Sequence, residues 1–250
     1  MQYFGFDRPS FGFKTIGFPA DLDPDAEIKA LFAGGKQGAF YNPSDLSTLW
    51  QDAARTIPVT KHNDPVGFVE DLSGNGNHAM QTVSASRPVY QTDGILHWLY
   101  FDGVDDTLLI SNIASITQPF SICLSKNEEY KPTVRYVSSS EGSIGRFADN
   151  IWSLSWGAGA VSKQLGVNHT AKVILATSKG TESEIQADGI AYNITGGTGG
   201  VLRGSLNIFG SLTGSNANGK LYSLLIAQSL TYTDKTNVQK YLAKKSGVTL

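Results

Sequence analysis

Between about residue 60 and residue 232, apolar runs of strand length recur between turn residues, at 66–69, 96–101, 107–110, 120–124, 151–156, 172–177, 206–209 and 221–227. Short strands at this rhythm, with no helical periodicity between them, predict an all-β sandwich or barrel. In the 96–101 run Leu96, Trp98 and Tyr100 alternate with His97, Leu99 and Phe101, so both faces are apolar. That pattern predicts a strand covered on both sides, at the centre of its sheet.

Helical signals flank the strand region. Asp23 reads as an N-cap with Pro24 at the first helical position, Asp25 and Glu27 in the first turn, and Ile28, Leu31 and Phe32 on one face before Gly34-Gly35. A second short helix is predicted through Leu46, Leu49 and Trp50. The chain closes with a third, capped by Thr233 and supported by Asp234, with an apolar stripe of Val238, Tyr241 and Leu242, Lys244 and Lys245 at its negative end, and Gly247 as terminator. Before all of these, residues 1–20 place Phe4, Phe6, Phe11, Phe13 and Phe18 beside glycines without helical spacing, which predicts an extended arm. Such an arm either docks on a neighbouring subunit or packs as a strand on its own domain. The predicted organisation is an arm over 1–20, a helical lead-in over 21–60 and the sandwich with its closing helix over 61–250.

A length of 250 residues buries roughly three quarters of the extended surface, so a large core is available. The 27 glycines against 9 prolines agree with many tight turns. A net charge of -2 and the lack of basic runs interleaved with aromatics argue against a nucleic-acid partner. The lone Cys123 excludes an internal disulfide and is expected to be a buried thiol. No apolar stretch reaches the roughly 18 residues of a membrane span, and the N-terminus lacks the continuous apolar middle of a signal peptide.

Three stretches together resemble a known family. Glu70-Asp71-Leu72-Ser73-Gly74-Asn75-Gly76-Asn77-His78 followed by Phe101-Asp102-Gly103-Val104-Asp105-Asp106 resembles the paired signature of laminin-G-like jelly rolls, and Gly219-Lys220-Leu221-Tyr222 through Gly247-Val248 resembles the closing strand and helix of that family. Residues 31–52 resemble a version of the domain found in bacteriophage and prophage virion proteins. The resemblance implies a concanavalin A-like (laminin-G-like) jelly-roll β-sandwich. It also implies a non-enzymatic virion component of tail, fibre or decoration type, assembled in the host cytoplasm. Such a component would be attached to other virion proteins through the aromatic arm and associated with its own copies as a homo-oligomer.

Fold does not fix activity, so the chemistry must be sought residue by residue. Asp71, Ser73, Asn75 and Gly76 have the spacing of oxygen ligands in a calcium loop, but Thr82 stands where a bidentate acid belongs. Calcium, the only cofactor the motifs suggest, would need Asp102, Asp105 or Asp106 as well. The alternative is that Asp71 and Asn75 bond their own turn. Trp152 and Trp156, four apart on a strand, share a face, and with Tyr192 could form a stacking platform for a bacterial surface glycan. Leu154 between them and the shortage of other large residues nearby favour the alternative, that both are core residues between the sheets. Glu182 and Glu184 alone meet the alternate-residue spacing of jelly-roll glycosidases, which leaves a depolymerase as a further alternative. Gly214 to Lys220 mimics a phosphate-binding loop, yet Leu221 begins a strand where that loop requires Ser or Thr and a helix.

Overall fold

The computed structural model describes residues 23, 25–129, 131–147, 151–156, 160–164, 172–194, 199–210 and 215–250. In chain order these form α1 (Ala26–Lys29), then strands β1 (Gly38–Tyr41), β2 (Leu49–Trp50), β3 (Phe68–Val69), β4 (Ala79–Met80), β5 (Val89–Thr92) and β6 (His97–Asp102). There follow β7 (Leu108–Thr117), β8 (Phe120–Glu128), β9 (Thr133–Ser138), β10 (Gly142–Phe147), β11 (Ile151–Trp156) and β12 (Ala160–Gln164). The last strands are β13 (Val173–Ser178), β14 (Ser183–Ala187), β15 (Ile190–Ile194), β16 (Val201–Ile208) and β17 (Asn218–Gln228), closed by helix α2 (Tyr232–Ser246).

The strands make two antiparallel sheets packed face to face, a jelly-roll β-sandwich with short N-terminal helical turns and a C-terminal helix. One sheet runs β15-β14-β13-β8-β17-β6-β5, with β1 also on β17; the other runs β12-β11-β10-β9-β16-β7-β4-β3-β2. Alternation along each strand sends one set of side chains between the sheets. There Phe101 and Phe209 stack at 4.7 Å, and Tyr136 joins Phe209 to Trp152 at 5.7 Å on either side. Full burial of aromatics of this size supplies a large share of the hydrophobic stabilisation.

A second apolar cluster lies on the outside of the first sheet. Cys123, Val173, Leu175 and Leu225 project outward there and are covered by Val238 and Leu242 of α2 and by Ile28 and Phe32 near the N-terminus. This double covering explains why β17 and β13 read as continuous apolar runs rather than alternating ones. Cys123 is buried in this layer, where loss of solvation pushes its thiol far above the ordinary range. Among the described residues no helix is long and apolar enough to cross a membrane.

Several boundaries differ from the sequence reading for identifiable reasons. Asp23 does not cap α1; its carboxylate accepts from the Asp25 backbone N–H, and Asp25 is the N-cap. The helix expected through Leu46, Leu49 and Trp50 is one 3-10 turn, Leu46–Thr48, because the Asp45 carboxylate accepts from Ser47 and the next residues extend to pair with Val69 and Phe68. The lead-in thus contributes β1 and β2 to the two sheets. Strand β6 is one in from the edge rather than central; its outer face is apolar because Trp98 packs edge-on against Tyr222 at 5.8 Å beneath the Lys220 ammonium. The N-cap of α2 is Thr231, two residues before Thr233, and it forms a reciprocal capping box with Asp234. Gly247 ends it with φ 67°, a left-handed geometry that favours glycine.

Candidate functional site

Helix α2 lies across the outer face of the first sheet, and its N-terminal end leaves an open groove over β13, β14 and β15. Strand alternation turns Thr177, Glu184, Gln186 and Asn193 outward to form the floor. The groove comprises two adjoining hollows of about 420 and 430 Å³ that share Lys179, Glu184 and Lys235. Tyr232, in the first turn of α2, stands on the rim with 85% of its surface exposed.

The floor is organised by polar contacts. Lys235 donates to Glu184, Gln186 Nε2 donates to Glu184 Oε2 at 3.1 Å, and Gln239 Nε2 donates to Gln186 Oε1 at 2.7 Å. At the groove's open end Lys179 pairs with Glu182 at 2.5 Å. Burial pushes the Glu184 carboxyl up, but the hydrogen bonds from Lys235 and Gln186 outweigh it and hold it below the ordinary range. The hydrogen bond from Lys179 lowers Glu182 likewise. Two carboxylates held ionised are poor proton donors at neutral pH, whereas glycoside cleavage requires one raised acid. What the groove offers is a set of oriented donors and acceptors beside an exposed aromatic ring.

The two tryptophans expected as a platform are not at this surface. Trp152 is 0% and Trp156 2% exposed; Trp152 stacks on Tyr136, and Trp156 meets Phe120 edge-on at 5.8 Å. The shared face is real, but it is the inner one, with Leu154 between them in the same core. Their assignment as ligand-binding residues is therefore corrected to core residues. Tyr192 is partly buried and packs against that core rather than joining an external platform. Phe4, Phe6, Phe11, Phe13 and Phe18 lie outside the described residues, as does Gly214.

The five candidate metal ligands separate into two loops. Asp71 is buried and fully engaged: Oδ1 accepts from Phe40 N and Ser73 N, each at 2.9 Å, and Oδ2 from Ser73 Oγ at 2.7 Å and Asn77 N at 2.9 Å. Asn75 turns its amide nitrogen to the carbonyls of Lys36 and Gly38. Both therefore hold the loop against β1, and their assignment as metal ligands is corrected to that structural role. Asp102, Asp105 and Asp106 do converge, with carboxylate oxygens within 4.8 Å of one another. Within this cluster Asp102 Oδ1 accepts from Val104 N at 2.7 Å, Asp106 Oδ2 from Asp102 N at 2.9 Å, and Asp105 Oδ2 from Ser86 Oγ at 2.7 Å. These bonds brace the loop that carries the chain from β6 in one sheet to β7 in the other.

Burial, followed by the negative charge of Asp102 and Asp105, raises the Asp106 carboxyl to about 6. Its unfolded value is about 3.9, so folding takes up a proton between those two pH values, and stability falls as pH rises through that window. The Asp106→Asn protein keeps an oxygen acceptor for Asp102 N. It is expected to be more stable than the parent by about 1 kcal/mol above pH 7, after allowance for solvent around the two exposed acids, and no more stable at pH 4. Thermal melts at the two pH values check this.

Comparison with known protein families and with curated proteins finds no match. Among solved structures, a Trypanosoma rangeli sialidase in complex with sialic acid aligns over 85% of this chain at 11% identity with a TM-score of 0.51. This chain spans 33% of that sialidase. Domain 4 of AbnA, an extracellular arabinanase from Geobacillus stearothermophilus solved with arabinotriose, aligns over 61% of this chain and 81% of its own at 12% identity, with a TM-score of 0.45. Botulinum neurotoxin type C aligns over 70% of this chain and 48% of its own at 13% identity, with a TM-score of 0.48. At these identities the likeness is one of fold, and the sialidase match agrees with the β-sandwich described above.

The groove residues Lys179, Asn193, Tyr232 and Lys235 were not singled out from sequence. The available signal was Tyr232, an aromatic in the first turn of α2 but off the Val238, Tyr241, Leu242 stripe. The others come together only through strand pairing, β14 with β13 and β15, which a linear reading does not reveal.

Proposed function

We propose that this chain is a glycan-binding module, without turnover, whose site is the groove between α2 and strands β13 to β15. The observation that carries the reading is the exposed Tyr232 ring on the rim of a floor built from paired Lys179–Glu182, Lys235–Glu184 and Gln186. A sugar presents one C–H face and a fringe of hydroxyls, and an aromatic ring beside fixed donors and acceptors matches both. The ionised state of Glu182 and Glu184 favours binding over hydrolysis. The resemblance of residues 31–52 to phage particle proteins supports a virion as the place where the module works, with a bacterial surface polysaccharide as its partner. Several copies on one particle would strengthen weak individual contacts.

A bacterial glycan array followed by calorimetry tests the proposal. The wild-type chain is expected to bind an oligosaccharide, and Tyr232→Ala to weaken that binding about tenfold, the loss of one aromatic contact. Because the ring is exposed, the folding stability of the variant should change by less than about 0.5 kcal/mol. Equal binding by both proteins, or no binding across the array, contradicts the reading.

A further inference from the structure

At the opposite end of α2 a second, smaller pocket of about 260 Å³ opens between the helix and the turn preceding β6. One wall is apolar: Ile95, 84% exposed, and Leu96, facing the ring of Tyr241. The other is basic. Lys245 Nζ donates to Ser44 Oγ at 2.7 Å and stands 3.5 Å from Asp25, which also accepts from Tyr241. Lys244, exposed beside it, has no ion-pair partner among the described residues, and His97 lines the same pocket. Asp25, with Asp45 and Asp23 farther off, balances the Lys245 ammonium, which leaves Lys244 as the ammonium open to a ligand beside an exposed hydrophobic surface.

We infer that this pocket binds a single carboxylate-bearing pyranose, of the uronate or sialate kind, as a subsite separate from the groove. The volume falls below the range typical of drug-sized ligands and suits one ring rather than a chain. The apolar wall takes the C–H face and Lys244 meets the carboxylate in a charge-assisted hydrogen bond, while Ser44 is already bonded to Asn42 and Lys245, and His97 Nδ1 to Tyr90. A neutral sugar would gain no charge-assisted bond from Lys244, and a bare phosphate would gain nothing from the Ile95 wall. The proposal rests on the glycan-binding reading only in its ligand class, since it shares no residue with the groove.

Amide-shift titrations of the full chain with glucuronate, N-acetylneuraminate, glucose and inorganic phosphate provide the test. Glucuronate or N-acetylneuraminate should shift Leu96, His97 and Lys244, glucose should not, and phosphate should bind more weakly than the acidic sugar. Lys244→Ala should weaken acidic-sugar binding roughly fivefold to tenfold with the rest of the spectrum unchanged. Tyr232→Ala should leave it intact, so that failure of the groove and failure of this pocket are told apart. Equal binding of glucose, binding of phosphate as tight as the sugar, no shift at these amides, or full binding by Lys244→Ala each overturns the proposal.

Discussion

Replacing Glu128 by Gln is expected to lower the unfolding free energy by about 3–5 kcal/mol, the largest single effect in this molecule outside its hydrophobic layers. Glu128 projects from β8 into the space between the sheets, where Oε1 lies 3.3 Å from Lys126 Nζ and 3.1 Å from Arg146 Nε, and Oε2 accepts the Tyr136 hydroxyl. The Lys126 and Glu128 side chains, and that of Arg146, are fully shielded from solvent. Burial lowers the Lys126 ammonium to about 8 even with the carboxylate beside it. Removing the negative charge takes the nearest carboxylate from two buried cations that repel each other, and the lost attraction is not made good by hydration at a site shielded from solvent. Urea denaturation of the two proteins measures the difference. A change below about 1 kcal/mol would mean that water reaches the cluster.

Asp71→Ala is expected to destabilise by about 3 kcal/mol or more, because it strands the backbone donors of Phe40 and Asn77 inside the fold. Asp71→Asn should recover only part of this, since one amide face presents N–H groups to donors that require an acceptor. The same carboxylate ties β1 to the signature loop, and Leu72 N to Phe40 O at 2.8 Å completes the tie. The effect should therefore appear as early loss of the 38–41 strand in hydrogen exchange. If Asp71 were instead a calcium ligand, millimolar calcium would raise the melting temperature of the wild type and not of the variant. The four hydrogen bonds to its oxygens predict no such difference arising from this residue.

The fold was legible because it is written in local signals. Turn residues between apolar runs marked β7, β8, β13 and β17, and the paired signatures marked the loops that Asp71 and Asp102 brace. The site was less legible for two physical reasons. Period-two alternation says that Trp152 and Trp156 share a face but not which side of the sheet that face is on, and only the placement of β10 and β11 against the opposite sheet decides it. Glu184 was visible as a carboxylate, but Lys235, which neutralises it, lies 51 residues away and approaches only when α2 packs on β13. The buried Lys126, Glu128 and Arg146 carry no local signal of their burial, since a strand that carries charges at alternate positions ordinarily turns them to solvent.

The most direct test of the account is an amide-shift map of the full chain with the oligosaccharide that binds best on a bacterial glycan array. The groove reading predicts shifts clustered at Lys179, Glu184, Asn193, Tyr232 and Lys235. Shifts confined to the 71–78 and 102–106 loops, with those five amides unmoved, would contradict it.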